Sequence, residues 1–109
     1  MRRITLVALS LSCLLLNGAT LLAQKTAYHQ TNKVSIGGEG FWDYLTVDSG
    51  AHRLYITRGT HVQIMDTVSE KIVGDIPNTP GVHGVAVAPA LGRGYISNGR
   101  ENTVLIFDL

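Results

Sequence analysis

Residues 43–57 of the chain recur as residues 83–97. Laying Asp43 to Thr57 on His83 to Ser97, a shift of 40, sets Val47 on Val87, Arg53 on Arg93, Tyr55 on Tyr95 and Ile56 on Ile96. Leu45 opposite Val85 and Thr57 opposite Ser97 are conservative matches. Two further residues enter the second copy, after which Val62 meets Val104, Ile64 meets Ile106 and Asp66 meets Asp108 at a shift of 42. Ile36 and Ile76 continue the match backwards, each ahead of a short Gly- or Pro-containing link. A repeat of this length constrains the fold strongly, because each copy is a supersecondary unit that cannot bury its apolar faces alone.

Each copy divides into short strands and turns, with no stretch of helical period. Tyr44 to Val47 is apolar-rich and closes on Asp48-Ser49-Gly50-Ala51, a turn-forming cluster. Arg53 to Thr57 is β-branched and aromatic, and Gly59-Thr60 breaks it. Val62 to Met65 alternates, Val62 and Ile64 on one face and Gln63 and Met65 on the other. Lys71 to Ile76 makes a fourth strand before the link Pro77 to Val82. The second copy predicts strands at Gly84 to Val87, Gly94 to Ser97 and Val104 to Phe107. Pro89 falls just past the first of these, where its missing N–H costs no ladder bond. Asn98-Gly99 opens the central loop as a pair that tolerates positive φ. Four short antiparallel strands returning every forty-odd residues predict an all-β chain built of β-propeller blades. A β-sandwich also uses regular short strands but does not require the same residues at the same offsets.

The first residues are of another kind. Arg2 and Arg3 precede an uncharged apolar run from Ile4 to Leu16, followed by Asn17-Gly18 and then Thr20-Leu21-Leu22-Ala23. A basic start, a short apolar stretch and a small-residue exit predict a helical, cleaved signal peptide over residues 1–23. The run is shorter than the ~20 residues that span a bilayer, and no membrane attachment is expected after cleavage; the competing reading is an uncleaved N-terminal anchor. Cys13, the only cysteine, lies inside the run, and the mature chain is left without a disulfide. The nine basic residues include Arg2 and Arg3; the others are balanced by all eight acidic ones without a basic stripe. Such a balance speaks against a nucleic-acid partner.

Tyr95-Ile96-Ser97-Asn98 resembles the tetrapeptide of the YVTN-type, YncE-like β-propeller repeat. Gly84-Val85-Ala86-Val87-Ala88-Pro89 before it and Asn102-Thr103-Val104-Leu105-Ile106-Phe107-Asp108 after it resemble that repeat too. The first copy departs at Arg58, which stands where the repeat has Asn. The likeness runs from Lys33 to Leu109. It implies an exported bacterial propeller, periplasmic or secreted, from a superfamily that also includes lactonases and quinoprotein dehydrogenase subunits. It further implies that residues 33–36 are an outer strand closing the last blade, with a first blade at 43–76 and an incomplete second at 83–109. One full blade and parts of two others would then lie within residues 24–109, an N-terminal fragment of a ring. An inter-blade interface of roughly 400 Å² of apolar surface contributes about 10 kcal/mol at ~25 cal/mol/Å², so the isolated fragment is expected to aggregate or partly unfold.

Asp43 and His83 fall at the same place in the two copies, at the start of the first strand, which in a propeller lines one mouth of the central channel. With Trp42 they are the expected contacts for a small-molecule or protein ligand; the competing reading is that they only join neighbouring blades. His29, His52 and His61 lack the close spacing of a strong metal motif. Gly37-Gly38-Glu39-Gly40 leads into a strand rather than a helix, so it reads as a link and not a phosphate loop. Arg53 and Arg93 are expected to brace a turn, and Asp66 and Asp108 to form turns. No catalytic, cofactor-binding or metal-binding residue is assigned, and the cofactor question stays open. The expected role is a binding or scaffold module; the alternative is part of a propeller enzyme, lactonase-like or dehydrogenase-like.

Overall fold

A computed structural model describes residues 28–109, in which Lys33–Leu109 form a compact unit. The expected signal peptide and Cys13 lie outside the described residues. The unit is all-β. Strands β1 (Leu45–Asp48), β2 (Arg53–Thr57), β3 (Val62–Asp66) and β4 (Lys71–Ile76) form a four-stranded antiparallel sheet in chain order. Strands β5 (Val82–Ala88), β6 (Arg93–Asn98) and β7 (Thr103–Asp108) form a three-stranded one in the same manner. A 3-10 turn, Pro89–Leu91, joins β5 to β6.

The repeat seen in the sequence is a repeat of register. Leu45 pairs with Ile56 and Val47 with Leu54 in the first sheet, as Val85 pairs with Ile96 and Val87 with Gly94 in the second. Tyr55 pairs with Ile64 as Tyr95 pairs with Ile106. The turns repeat as well. His52 (φ 55°) and Gly92 (φ 63°) both take the left-handed conformation, and their carbonyls accept from Thr67 N–H at 2.8 Å and Leu109 N–H at 3.2 Å. His52 is therefore a turn residue, a role its side chain does not advertise. The Asn98-Gly99 expectation fails in one respect: the positive φ falls on Asn102, at 54°. Gly99 is needed for close approach instead, since a Cβ there would sit 3.0 Å from the Gly81 carbonyl oxygen and 3.1 Å from His83 Nε2.

Period-2 alternation gives each sheet two faces. In the first sheet Thr46, Tyr55 and Ile64 share one face, and Leu45, Ile56 and Gln63 the other. In the second, Val85, Ile96 and Leu105 share one face, and Ala86, Tyr95 and Ile106 the other. The core forms where the Tyr55 face of the first sheet meets the Ile96 face of the second. Tyr55, Val62, Val82, Val85 and Ile96 are its buried members, with Ile64, Val87, Leu105 and Phe107 packed against them. The rings of Tyr55 and Phe107 are tilted at 52° with centroids 5.8 Å apart, a favourable aromatic arrangement. Gly94 makes room for Phe107, whose ring lies directly over its Cα.

The segment expected as an outer closing strand, residues 33–36, belongs to neither sheet. Val34 and Ile36 instead help line a groove of about 410 Å³ over the far face of the first sheet, with Trp42, Leu45, Ile56 and Met65. Arg58 holds the chain near it. Its buried guanidinium donates to the carbonyls of Gly38 at 3.1 Å, Glu39 at 3.0 Å and Gly40 at 3.3 Å. The residue that departs from the repeat thus has a task of its own, and the glycine-rich segment is a pinned link into β1. At the matching position Asn98, also buried, donates from Nδ2 to Thr103 Oγ1 at 3.3 Å.

Candidate functional site

Hydrogen bonds join the two sheets near the starts of β1 and β5. The Tyr44 N–H donates to the His83 carbonyl at 3.2 Å, and the Thr46 hydroxyl to the Val85 carbonyl at 2.7 Å. Both contacts advance in the same sense along the two strands, so β1 and β5 lie side by side and run parallel.

Each start is fixed by a hydroxyl from the neighbouring strand of its own sheet. Thr57 Oγ1 accepts from the Asp43 N–H at 3.2 Å and donates to the Tyr44 carbonyl at 3.0 Å. Ser97 Oγ accepts from the Gly84 N–H at 3.3 Å and donates to the Gly84 carbonyl at 3.5 Å. Thr and Ser suit this position because a hydroxyl can both accept from and donate to the backbone of one extended segment.

Held this way, Asp43 and His83 meet. His83 Nδ1 lies 2.6 Å from Asp43 Oδ2, with the imidazole largely and the carboxylate partly open to solvent. The carboxylate on Nδ1 orients the ring, and in the neutral ring donation from Nδ1 leaves the lone pair on Nε2. The Nε2–Cδ2 edge rests against Gly99. The pair can therefore offer a ligand a carboxylate oxygen and an oriented ring nitrogen from two different sheets. Trp42, next to Asp43 in the chain, has an exposed indole that lines the groove with Val34, Ile36 and Met65.

The remaining expected residues fall elsewhere. His61 makes a contact of 3.2 Å from Nδ1 to Thr60 Oγ1, and its Nε2 lies 3.7 Å from Asp75 Oδ2. Among the described residues no three His, Cys, Asp or Glu side chains come together as a metal-ligand group. Arg93 forms an ion pair with Asp108, its direct cross-strand partner. Asp66 closes the β3–β4 turn by accepting from Val68 N–H at 3.1 Å and Ser69 N–H at 2.6 Å. These bonds to Ser69 favour the ionised form and hold the Asp66 carboxyl below its ordinary value. No helix among the described residues is long and apolar enough to cross a membrane. Set against protein-family models, curated proteins and solved structures, the chain matches none of them.

Proposed function

We propose that the two sheets are successive blades of a YVTN-type β-propeller, an exported binding or scaffold module whose ligand docks where β1 and β5 begin. Three features support the blade reading: the repeated register, the repeated hydroxyl brackets, and the side-by-side placement of the first strand of each sheet. In a propeller those strands line the central channel, so Asp43 and His83 would stand at one mouth of it. The observation that carries the binding reading is the 2.6 Å contact between Asp43 and His83, two exposed polar groups from equivalent positions on different sheets. Export is proposed from Arg2, Arg3 and the Ile4 to Leu16 run.

The test is amide shift mapping by NMR with three probes, zinc ion, inorganic phosphate and a neutral disaccharide. At least one probe is expected to shift Asp43, Tyr44, His83 and Gly99, and His83→Ala is expected to abolish that response while strand content is unchanged. Shifts centred on Trp42, Leu45 and Ile56, or none at Asp43 and His83 with any probe, would overturn the reading. An enzyme is the second reading, favoured only by the oriented imidazole; hydrolysis of an added lactone that His83→Ala removes would support it.

A further inference from the structure

An Asn followed by Gly is prone to lose its side-chain amide, because the Gly nitrogen, unhindered by a side chain, can attack the amide carbon. Asn98-Gly99 is such a pair, and the packing around it depends on both residues. A Cβ on Gly99 would crowd the Gly81 carbonyl and the His83 ring. Asn98 is 4% exposed at the end of β6, where Nδ2 donates to Thr103 Oγ1 at 3.3 Å across the strand pair. Its Oδ1 is buried with no partner among the described residues, so this one bond anchors the amide.

The folded backbone holds the pair away from reaction. Asn98 is in register with Val82 on one side and Thr103 on the other, and in an extended strand the next nitrogen is turned away from Cγ. That nitrogen, of Gly99, also donates its proton to the Gly81 carbonyl at 2.9 Å. Beyond it the β6–β7 loop is lightly held. Gly99, Arg100, Glu101 and Asn102 are all exposed, and the Arg100 N–H reaches the Pro80 carbonyl at 3.3 Å. Exposed turns open locally at a fraction of the global cost of unfolding.

We propose that Asn98 is a deamidation site of the folded protein, reached when loop 99–102 swings off Gly81 while both sheets stay intact. The released Gly99 nitrogen loses its proton to water and bonds to Asn98 Cγ; the Cγ–Nδ2 bond breaks and ammonia leaves. Water then opens the cyclic imide at one of its two carbonyls, giving aspartate or its β-linked isomer with no change of oxidation state. Both products remove the donor to Thr103, and aspartate also sets a charge where the native side chain is buried, which is costly. The β-linked product adds a backbone carbon ahead of Gly99 and displaces it from Gly81 and from the His83 ring. The reaction is thus a one-way switch that loosens the support of His83. It rests on the loop geometry alone and stands whether or not a ligand binds at Asp43 and His83.

The experiment holds the full chain at neutral pH, folded and in urea, and follows conversion of amide to acid in the tryptic peptide 94–100 by mass spectrometry. Asn98 is expected to convert in the folded chain, more slowly than in urea. Thr103 is exposed, so Thr103→Val keeps the fold while removing the acceptor of Nδ2. It is expected to raise the folded-state rate about fivefold, the equivalent of one ordinary hydrogen bond. Thr103→Ser, which keeps the hydroxyl, is expected to react at the unsubstituted rate. Gly94→Ala crowds Phe107 at the far end of β6 and is expected to leave the rate unchanged, because opening the loop does not require the core to part. Acceleration by Gly94→Ala equal to that by Thr103→Val would assign the reaction to global unfolding and overturn the inference. A folded rate equal to that in urea would do the same, as would no conversion in either the unsubstituted chain or Thr103→Val over many times the span that completes the reaction in urea. In the converted chain the amide shifts of Gly81 and His83 are expected to move while those of β2 and β3 stay; unmoved shifts at both would overturn the switch.

Discussion

Phe107 packs into the space left by the missing side chain of Gly94. A Cβ at that position would stand 2.1 Å from the ring, and the ring cannot retreat freely because it lies against Tyr55. Gly94→Ala is therefore expected to destabilise the fold by about 1–3 kcal/mol, the range for overpacking a formed core. Adding Phe107→Leu should recover part of the loss, which denaturant titration of the two single variants and the double variant would measure as a coupling. Asp66 acts through a different force. Its carboxyl is held low by hydrogen bonds from Ser69, so its contribution to stability is full above the ordinary carboxylate value and fades as pH falls through the lowered one. Asp66→Ala is expected to flatten the acid limb of stability against pH and to change the slope near neutrality little. Thermal melts from pH 2 to 6, with an unchanged acid limb as the contrary outcome, decide it. Asp66 as a turn former was legible from its repeat at Asp108, whereas Gly94 was not, because a close approach depends on a ring thirteen positions further along the chain.

At the scale of strands and links, all seven strands were legible in the alternating pattern, with ends displaced by one or two residues. Period-2 alternation and turn residues are local properties, and the repeat checks each copy against the other. Segment 33–36 pairs with neither sheet, since pairing needs an edge in register and no local pattern supplies one. What holds that region instead is Arg58, a residue visible beforehand only as a departure from the repeat. Three backbone carbonyls converge on its buried guanidinium, and hydrogen bonds to a charged group contribute about 1.5–3 kcal/mol each when formed in the interior. Arg58→Asn restores the residue of the second copy but cannot reach those carbonyls. It is expected to cost about 2–3 kcal/mol and to free the Gly37–Gly40 link while β2 and β3 stay intact. Amide exchange should then rise at residues 38–42 and remain slow in β2; uniform loss of protection across the first sheet would contradict this account. The Asp43–His83 meeting belongs to the same scale. Equivalent positions were readable, but contact between them follows from stacking two sheets with β1 beside β5.

For the whole molecule the decisive feature is the asymmetry between covered and open versions of the same face. Tyr55 and Tyr95 occupy the same repeat position, yet one is sealed and the other is half-open because only one has a sheet above it. Exposed apolar area on this scale marks an interaction surface or an aggregation hazard, and here both outer sheets contribute to it. Any partner that covers those faces in the folded state and not in the unfolded one raises stability by mass action. The melting temperature of the chain is therefore expected to rise with its own concentration. An apolar dye that fluoresces on bound surface should report the reverse, bright in dilute solution and dim as the faces are covered. Val104→Lys places a charge on the exposed Tyr95–Ile106 face of the second sheet without touching the Tyr55–Ile96 core, since Val104 lies on the far side of β7 from Leu105 and Phe107. It should abolish the concentration dependence and lower the melting temperature only to the dilute-chain value, because an exposed surface site contributes little within one molecule. Scanning calorimetry over a hundredfold concentration range, with the variant alongside, separates this from simple aggregation, which would broaden the transition and make it irreversible at the high end. A sharp reversible melt that is independent of concentration in both proteins would mean that the open faces are satisfied within a single chain.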